Sequence, residues 1–290
     1  MKLFDPHIHM TSRPTSDYQA MADAGISAIV EPSFWLGQPR THVGTFEDYF
    51  LSLLGWERFR ASQFGISHFC TLSINPKEAN SPSIAQGVLD LLPRYLEKDG
   101  VVAVGEIGFD DQTDAEEHLF AEPLKLAMEF ELPVLIHTPH RDKKRGTARS
   151  LELVRRVGFP EQRVLIDHNN EETLPMVLET NCWAGHSIYP DTKMDELRMV
   201  ALIQTYGSDR IIINSAADWG VSDPFKVPKT VEAMYEAGLD EKTIQTVVWD
   251  NPVAFFGQSE RLDLDRDPID QSQLWEGNSV LRGQEPVVES

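Results

Sequence analysis

Short, strongly apolar runs recur along the chain and alternate with longer stretches in which apolar positions return every three or four residues. The runs are Leu3–His9, Ile26–Pro32, His68–Ile74, Val101–Ile107, Pro133–His137, Arg163–His168, Cys182–His186 and Arg210–Asn214. They are brief and rich in β-branched residues, the pattern of strands buried on both faces. An amphipathic segment follows most of them: Asp17–Ala24, Ile84–Glu97, Ala115–Glu129, Ser150–Val157 and Lys193–Tyr206. In the third of these, Leu119, Phe120, Leu124 and Ala127 return at helical spacing, with acids on the opposite face. This alternation predicts an α/β fold, a (β/α)8 TIM barrel spanning residues 1–258. A doubly wound sheet would need a glycine-rich phosphate-binding first turn, and the chain has none.

Two segments depart from the repeat. Ser33–Thr45, with Phe34, Trp35, Gly37, Pro39 and Gly44, is expected as a long loop at the barrel mouth, where substrate loops lie. Beyond the last helix, Asp250–Gly257, residues 259–290 are expected as an extended C-terminal tail. It would pack on the barrel or on a second copy in a homo-oligomer, with Leu274, Trp275, Val280 and Leu281 as its apolar anchors. Lys143–Ala148 borders the pocket in a conformation the pattern does not fix.

Composition narrows the function. Of 290 residues, 41% are hydrophobic, enough for a full core. Against 26 Lys and Arg stand 46 Asp and Glu, a net charge of −20, which argues against a broad grip on nucleic-acid phosphates or an anionic membrane. A small-molecule substrate, even an anionic one, stays compatible, because a bound metal's charge dominates its surroundings. Two cysteines, Cys70 and Cys182, exclude a disulfide scaffold and fit a reducing compartment. No basic segment with a long apolar stretch precedes Leu3, and no run approaches the ~18 apolar residues of a membrane span. A soluble, cytoplasmic protein is expected.

In such a barrel the C-terminal strand ends converge on one site. Strand one ends His7-x-His9, and alternation would turn both imidazoles inward to share a metal. Glu106 ends strand four behind apolar and small residues, where a buried carboxylate needs a cation. His137 and His168 end strands five and six, and strand eight runs on to Asp218. Each alone has a bland reading: core hydrogen bonds for a histidine, a salt bridge for Glu106, a helix cap for Asp218. Four of the nine histidines and two carboxylates at the same end of the strands are hard to explain that way. The set suits two divalent ions, Zn2+ first and Mn2+ or Mg2+ as alternatives. Such a pair would generate hydroxide near neutral pH, with Asp218 accepting or orienting the water's proton.

These residues carry a resemblance. Asp5-Pro-His-Ile-His9, Gly105-Glu-Ile-Gly-Phe-Asp110, Glu117-x-x-Phe120 with Leu132-Pro-Val-Leu-Ile-His137, then His168, Asp218 and Asn251-Pro-x-x-x-Phe-Gly257 stand in order. From Asp5 to about Gly257 the chain resembles the TatD-related metal-dependent hydrolases of the amidohydrolase superfamily. The resemblance implies His7, His9 and Asp218 around one metal, His137 and His168 around the second, and Glu106 bridging them where some relatives use a lysine. It also implies Asp218 and Glu106 as catalytic groups. Typical members carry an Arg two residues beyond the strand-five His, and an aromatic residue and Gly after the strand-six His. Here the segments read His137-Thr-Pro-His-Arg141 and His168-Asn-Asn-Glu-Glu-Thr173. That departure, with the charge of −20, speaks against the deoxyribonuclease activity of some members. His140 or Arg141 is the expected substitute anion contact. Glu31 and His186, ending strands two and seven, are further substrate candidates, and Trp35 and Trp219 are candidate pocket walls.

The leading expectation is a metal-dependent hydrolase cleaving a phosphoester, ester or amide bond of a small to medium substrate. A metal-assisted isomerase or lyase would use the same ions to stabilise an enolate. A non-catalytic scaffold in a biosynthetic complex is the third reading, which the long tail favours and the intact ligand set opposes.

Overall fold

Eight parallel strands stand side by side in chain order: β1 (Leu3–Asp5), β2 (Ile26–Pro32), β3 (Ser67–Leu72), β4 (Val101–Gly108), β5 (Val134–His137), β6 (Val164–Ile166), β7 (Trp183–Ser187) and β8 (Ile211–Asn214). The computed structural model describes residues 1–265. Helices intervene between the strands, making the (β/α)8 barrel that the hydrophobic rhythm predicts. They are α1 (Thr15–Asp23), α2 (Val43–Leu51), α3 (Arg58–Ser62), α4 (Pro82–Leu96), α5 (Asp114–Glu129), α6 (Lys143–Val157), α7 (Leu174–Leu178), α8 (Glu196–Tyr206) and α9 (Lys226–Glu236). Two short helices, α10 (Glu241–Gln245) and α11 (Asn251–Phe256), finish the barrel.

Apolar side chains divide into two layers. Phe4, Ala28, Val30, Phe69, Val102, Leu135, Leu165 and Ile212 fill the barrel interior near the strand starts. Phe255 and Phe256 of α11 close that floor, and Leu262 and Leu264, just past the last helix, pack against it. A larger layer between sheet and helices holds Ile29, Val104, Ile107, Ile136, Ile166, Ala184 and Ile213. Because alternate strand residues face opposite sides, inward positions nearer the strand ends are left for polar groups. The proposed anchors Leu274, Trp275, Val280 and Leu281 lie outside the described residues.

No ladder pairs β8 with β1. The seam is instead bridged just above the strands, where Ala216 N donates to His7 O at 2.8 Å and His9 N to Ala217 O at 2.8 Å. Two of the boundaries that differ from the sequence expectation bear on the site. β1 stops at Asp5 and β6 at Ile166, so His7, His9 and His168 stand on the loops beyond the strands. Lys143–Ala148 forms the first turns of α6, and the mouth loop ends where α2 begins at Val43. Gly146 hides the helical character of that segment: a Cβ there would collide with the Pro139 ring, so the residue is fixed by close packing against propensity.

Candidate metal centre

Glu106 reaches the centre through an irregularity in its strand. The β4–β5 register shifts between Val104 and Ile107, both of which pack under the helices. A bulge re-aims the side chain between them, and Glu106 enters the interior, almost wholly buried. His7, Glu106 and His168 each bring a donor atom within 4.8 Å of the others. His7 Nε2 lies 3.4 Å and His168 Nε2 3.5 Å from Glu106 Oε1. His9 Nε2 stands 3.1 Å from His7 Nε2, and His137 Nδ1 stands 3.5 Å from Glu106 Oε1. Neither ring nitrogen of His137 makes a hydrogen bond, and His9 Nδ1 has none either. Buried imidazoles without partners, gathered on one carboxylate, are the donor chemistry that a divalent cation satisfies. The residues present fit the metal.

The ring orientations are set from behind. Asp167, fully buried at the end of β6, accepts from His7 Nδ1 at 2.6 Å and from the backbone N–H of His168 at 2.7 Å. The Asn214 amide nitrogen donates to both Asp167 oxygens, at 3.0 and 3.2 Å. That turns the Asn214 carbonyl toward Ser187, whose hydroxyl donates to it at 2.7 Å. With its one hydrogen committed, Ser187 Oγ can only accept from His168 Nδ1, 2.6 Å away. Each histidine, in its neutral form, therefore carries its proton on Nδ1 and presents the Nε2 lone pair to the centre, the arrangement that hydrogen-bond acceptors behind an imidazole impose on it.

The electrostatics of the centre favour positive charge. Burial pushes the Glu106 carboxyl up, but His7, with His137 and His168, outweighs it and holds the group well below the usual carboxylate range. Burial likewise opposes ionisation of Asp167, yet His168 and His7 keep its pKa far below the ordinary value. For His7, burial opposes protonation while Glu106 and Asp167 raise its pKa. The paired carboxylates thus create a strongly cation-seeking centre.

Asp218 lies half-buried on the cleft wall, outside the tightest donor group. Its Oδ1 accepts from the Tyr189 hydroxyl at 2.9 Å and from the Gly220 N–H at 2.8 Å. The open cleft above the donors has a cavity volume of about 90 Å³ and is lined also by Phe34, Trp35, Asn75, Lys77, His140 and Lys193. Asn75 donates to Glu106 Oε2 at 2.9 Å. Phe34 stacks on His9 with ring centroids 3.7 Å apart, and Trp219 packs on Phe34 and Trp35 at 4.9 and 5.8 Å. The aromatic residues of the mouth loop therefore do wall the site.

Three of the substrate candidates are not brought to the cleft. Glu31 has the same parity as Ile29 and faces the helices, where its oxygens accept from Thr11 N, Thr11 Oγ1 and His68 Nε2 at 2.7, 2.8 and 2.9 Å. His186 shares the outward parity of Ala184 and is fully buried, with neither ring nitrogen hydrogen-bonded. Arg141 points to solvent, 3.6 Å from Asp111 and 88% exposed. His140 alone of the four lines the cleft. Asp167, Ser187, Asn214 and Lys193 also stand at the site without being among the sequence candidates. The inward parity of Leu165, Gly185 and Ile212 carries the signal for the first three.

Comparison with known proteins places this geometry in context. Residues 4–257 match the family model described as TatD related DNase. An uncharacterized metal-dependent hydrolase of Methanocaldococcus jannaschii is 26% identical over 257 residues, covering 88% of this chain and 99% of the relative. The TatD-like protein of Archaeoglobus fulgidus has a crystal structure with TM-score 0.73 and 28% identity, covering 87% of this chain and 99% of that one. A phosphotriesterase homology protein of Escherichia coli, with phosphate in its active site, shares the fold at TM-score 0.64 and 14% identity, over 88% and 98% of the two chains.

Proposed function

The chain belongs to the TatD-related DNase family of metal-dependent hydrolases, and from that premise we propose that it hydrolyses a phosphoester, ester or amide bond of a small to medium substrate with two divalent ions, Zn2+ before Mn2+ or Mg2+. One observation carries the reading: buried imidazoles with free ring nitrogens surround a single ionised carboxylate. His7, His9 and Asp218 would hold one ion, His137 and His168 the other, with Glu106 between. When bound, the ions supply an activated water and polarise the scissile bond.

The protein's own groups do the rest. Asp167, Ser187 and Asn214 hold His7 and His168 in the tautomer that leaves Nε2 free. Asn75 fixes the second oxygen of Glu106. Asp218 accepts the proton from the attacking water, and the Tyr189 hydroxyl and Gly220 N–H hold its other oxygen in place. Phe34 and Trp35 exclude water on one wall. No helix among the described residues is long and apolar enough to cross a membrane. The two free, buried thiols, Cys70 and Cys182, suit a reducing compartment such as the cytoplasm. The charge of −20 favours a small-molecule substrate over a nucleic acid. Residues 1–258 serve as the catalytic domain and the tail as a packing or assembly arm.

The test strips the protein with a chelator, restores each ion separately, and assays matched phosphoester, ester and amide substrates alongside bound-metal analysis. Hydrolysis should vanish and return with the metal, and Asp218→Asn should lower kcat by ~100-fold or more. Full activity in the stripped protein rejects the reading.

A further inference from the structure

We propose that Lys193 is the substrate-anion contact of this cleft, its ammonium receiving a carboxylate or phosphoryl oxygen held beside the scissile bond. The assignment rests on the hydrolase reading for the identity of the ligand as a substrate, and on the hydrogen-bond pattern for the site itself.

Three lysines stand around the donors, and two are spoken for. Lys77 Nζ is tied to both oxygens of Asp110 at 2.9 Å and lies over the Trp35 ring. Lys143 Nζ donates to His168 O at 3.0 Å and to Thr138 Oγ1 at 3.1 Å. Lys193 is different. Its only polar neighbour within hydrogen-bond distance, among the described residues, is His168 Nδ1 at 3.2 Å. That nitrogen already gives its proton to Ser187 Oγ, since Ser187 spends its own hydrogen on Asn214. A protonated Nδ1 has no lone pair to offer, so the 3.2 Å contact is not a hydrogen bond and the ammonium hydrogens have no protein acceptor. Among the described residues, no carboxylate lies within ion-pair distance of it either. A half-buried ammonium lining the cleft without a protein acceptor is costly unless a ligand supplies one.

Its place is also built rather than accidental. Lys193 sits on the turn between β7 and α8, where Ile188 and Met194 form an isolated bridge and Tyr189 N donates to Met194 O at 3.0 Å. Arg198 Nη1 holds the Lys193 carbonyl at 2.8 Å while its other nitrogens grip Glu171 at 2.8 and 2.7 Å. The ammonium lies against the Tyr189 ring, 5.3 Å from its centroid, on the side of the cleft that Asp218 shares. In a chain of net charge −20, a cation so braced and so uncommitted selects for a negatively charged ligand. It takes the anion-contact role that the sequence offers to His140 or Arg141, of which Arg141 points to solvent.

The experiment titrates inorganic phosphate into the metal-loaded, full-length protein by calorimetry, for wild type, Lys193→Met and Lys193→Arg, with bound metal measured in each. Loss of one charge-assisted bond should weaken phosphate binding roughly 10- to 100-fold in Lys193→Met, and Lys193→Arg should retain most of it. Equal phosphate affinity in wild type and Lys193→Met, at equal metal content, overturns the assignment. If Lys193→Met misfolds, Lys193→Gln and the arginine variant decide by the same comparison. In turnover, a phosphodiester should lose kcat/KM in Lys193→Met and its neutral methyl triester should not; equal losses count against the proposal. A wild type that binds phosphate through Lys193 yet hydrolyses nothing leaves this contact standing and sinks the hydrolase reading instead.

Discussion

Replacing Asp167 with asparagine isolates the device that orients the donors. The side chain keeps its shape, but one acceptor oxygen becomes an NH2 group. Every polar neighbour in the wild type is a donor: His7 Nδ1 at 2.6 Å, the His168 N–H at 2.7 Å, and the Asn214 amide on both oxygens at 3.0 and 3.2 Å. If the new NH2 takes the Oδ1 place, it faces the backbone N–H of His168, which cannot rearrange. If it takes the Oδ2 place, His7 can escape by moving its proton to Nε2, and the lone pair aimed at Glu106 is lost. The second orientation costs less, so Asp167→Asn should disable His7 as a ligand. The expected loss of metal affinity is ~10- to 100-fold, about 1.4–2.7 kcal/mol. Loss of the charge-assisted bonds should also lower the stability of the metal-free fold by roughly 1.5–3 kcal/mol. Competition of Zn2+ against a chromophoric chelator measures the first, and urea unfolding the second. Wild-type zinc affinity in a folded Asp167→Asn protein would refute the tautomer argument.

Three further outcomes follow from named contacts. Gly185→Ala puts a methyl group onto the Asp167 carboxylate, with Cγ only 2.9 Å away; it should cost ~1–3 kcal/mol and weaken metal binding, and unchanged metal affinity with a lowered melting temperature would disprove the link. Burial pushes the His186 pKa down to about 4 from 6.5. Below pH ~6.5 the unfolded chain therefore takes up a proton that the native state refuses, and stability falls as pH drops toward 4. His186→Leu should remove on the order of 2 kcal/mol of the loss between pH 7 and 4.5, read from urea midpoints; equal losses in both proteins would exclude His186 as the cause. Hydrogen bonds from Arg149 and Arg156, at 2.6 and 2.5 Å, hold the Glu117 carboxyl below its ordinary 4.5. Its contribution is present above pH ~4.5 and lost as pH falls through the depressed value. Because the group is partly exposed, Glu117→Gln should cost under ~1 kcal/mol at pH 7, with a difference that fades in acid; a constant difference down to pH 2 would contradict this.

The barrel was legible because strands buried on both faces leave uninterrupted apolar runs rich in β-branched residues, such as Val101–Val104 and Ile211–Ile213. Glu106 and His137 were legible for the same reason, as polar residues closing apolar runs. Position at a strand end does not give the face, however. Glu31 and His186 end their strands one residue out of phase with the interior and meet the helix layer instead. His7 and His9 converge through a loop beyond β1 rather than by strand alternation, and their meeting depends on backbone bonds to Ala216 and Ala217. Lys193 left no periodic trace, since an irregular turn held by Arg198 decides where it points. Asp167 was hidden by its neighbour: His168 drew the chemistry, while the residue that orients it reads as an ordinary loop acid.

The seam between the first and last strands has a consequence for how occupancy and folding are linked. His7 and His9 carry both a ring nitrogen facing the centre and a fastening atom on the backbone, clasped to Ala216 and Ala217. A cation drawing those imidazoles together would tighten the clasp, so the cylinder's two chain ends are latched by the same event that arms it. Slowed deuterium uptake at the Ala216 and His9 amides would then report loading without any turnover, and a loss of metal would be felt first as breathing along that one join.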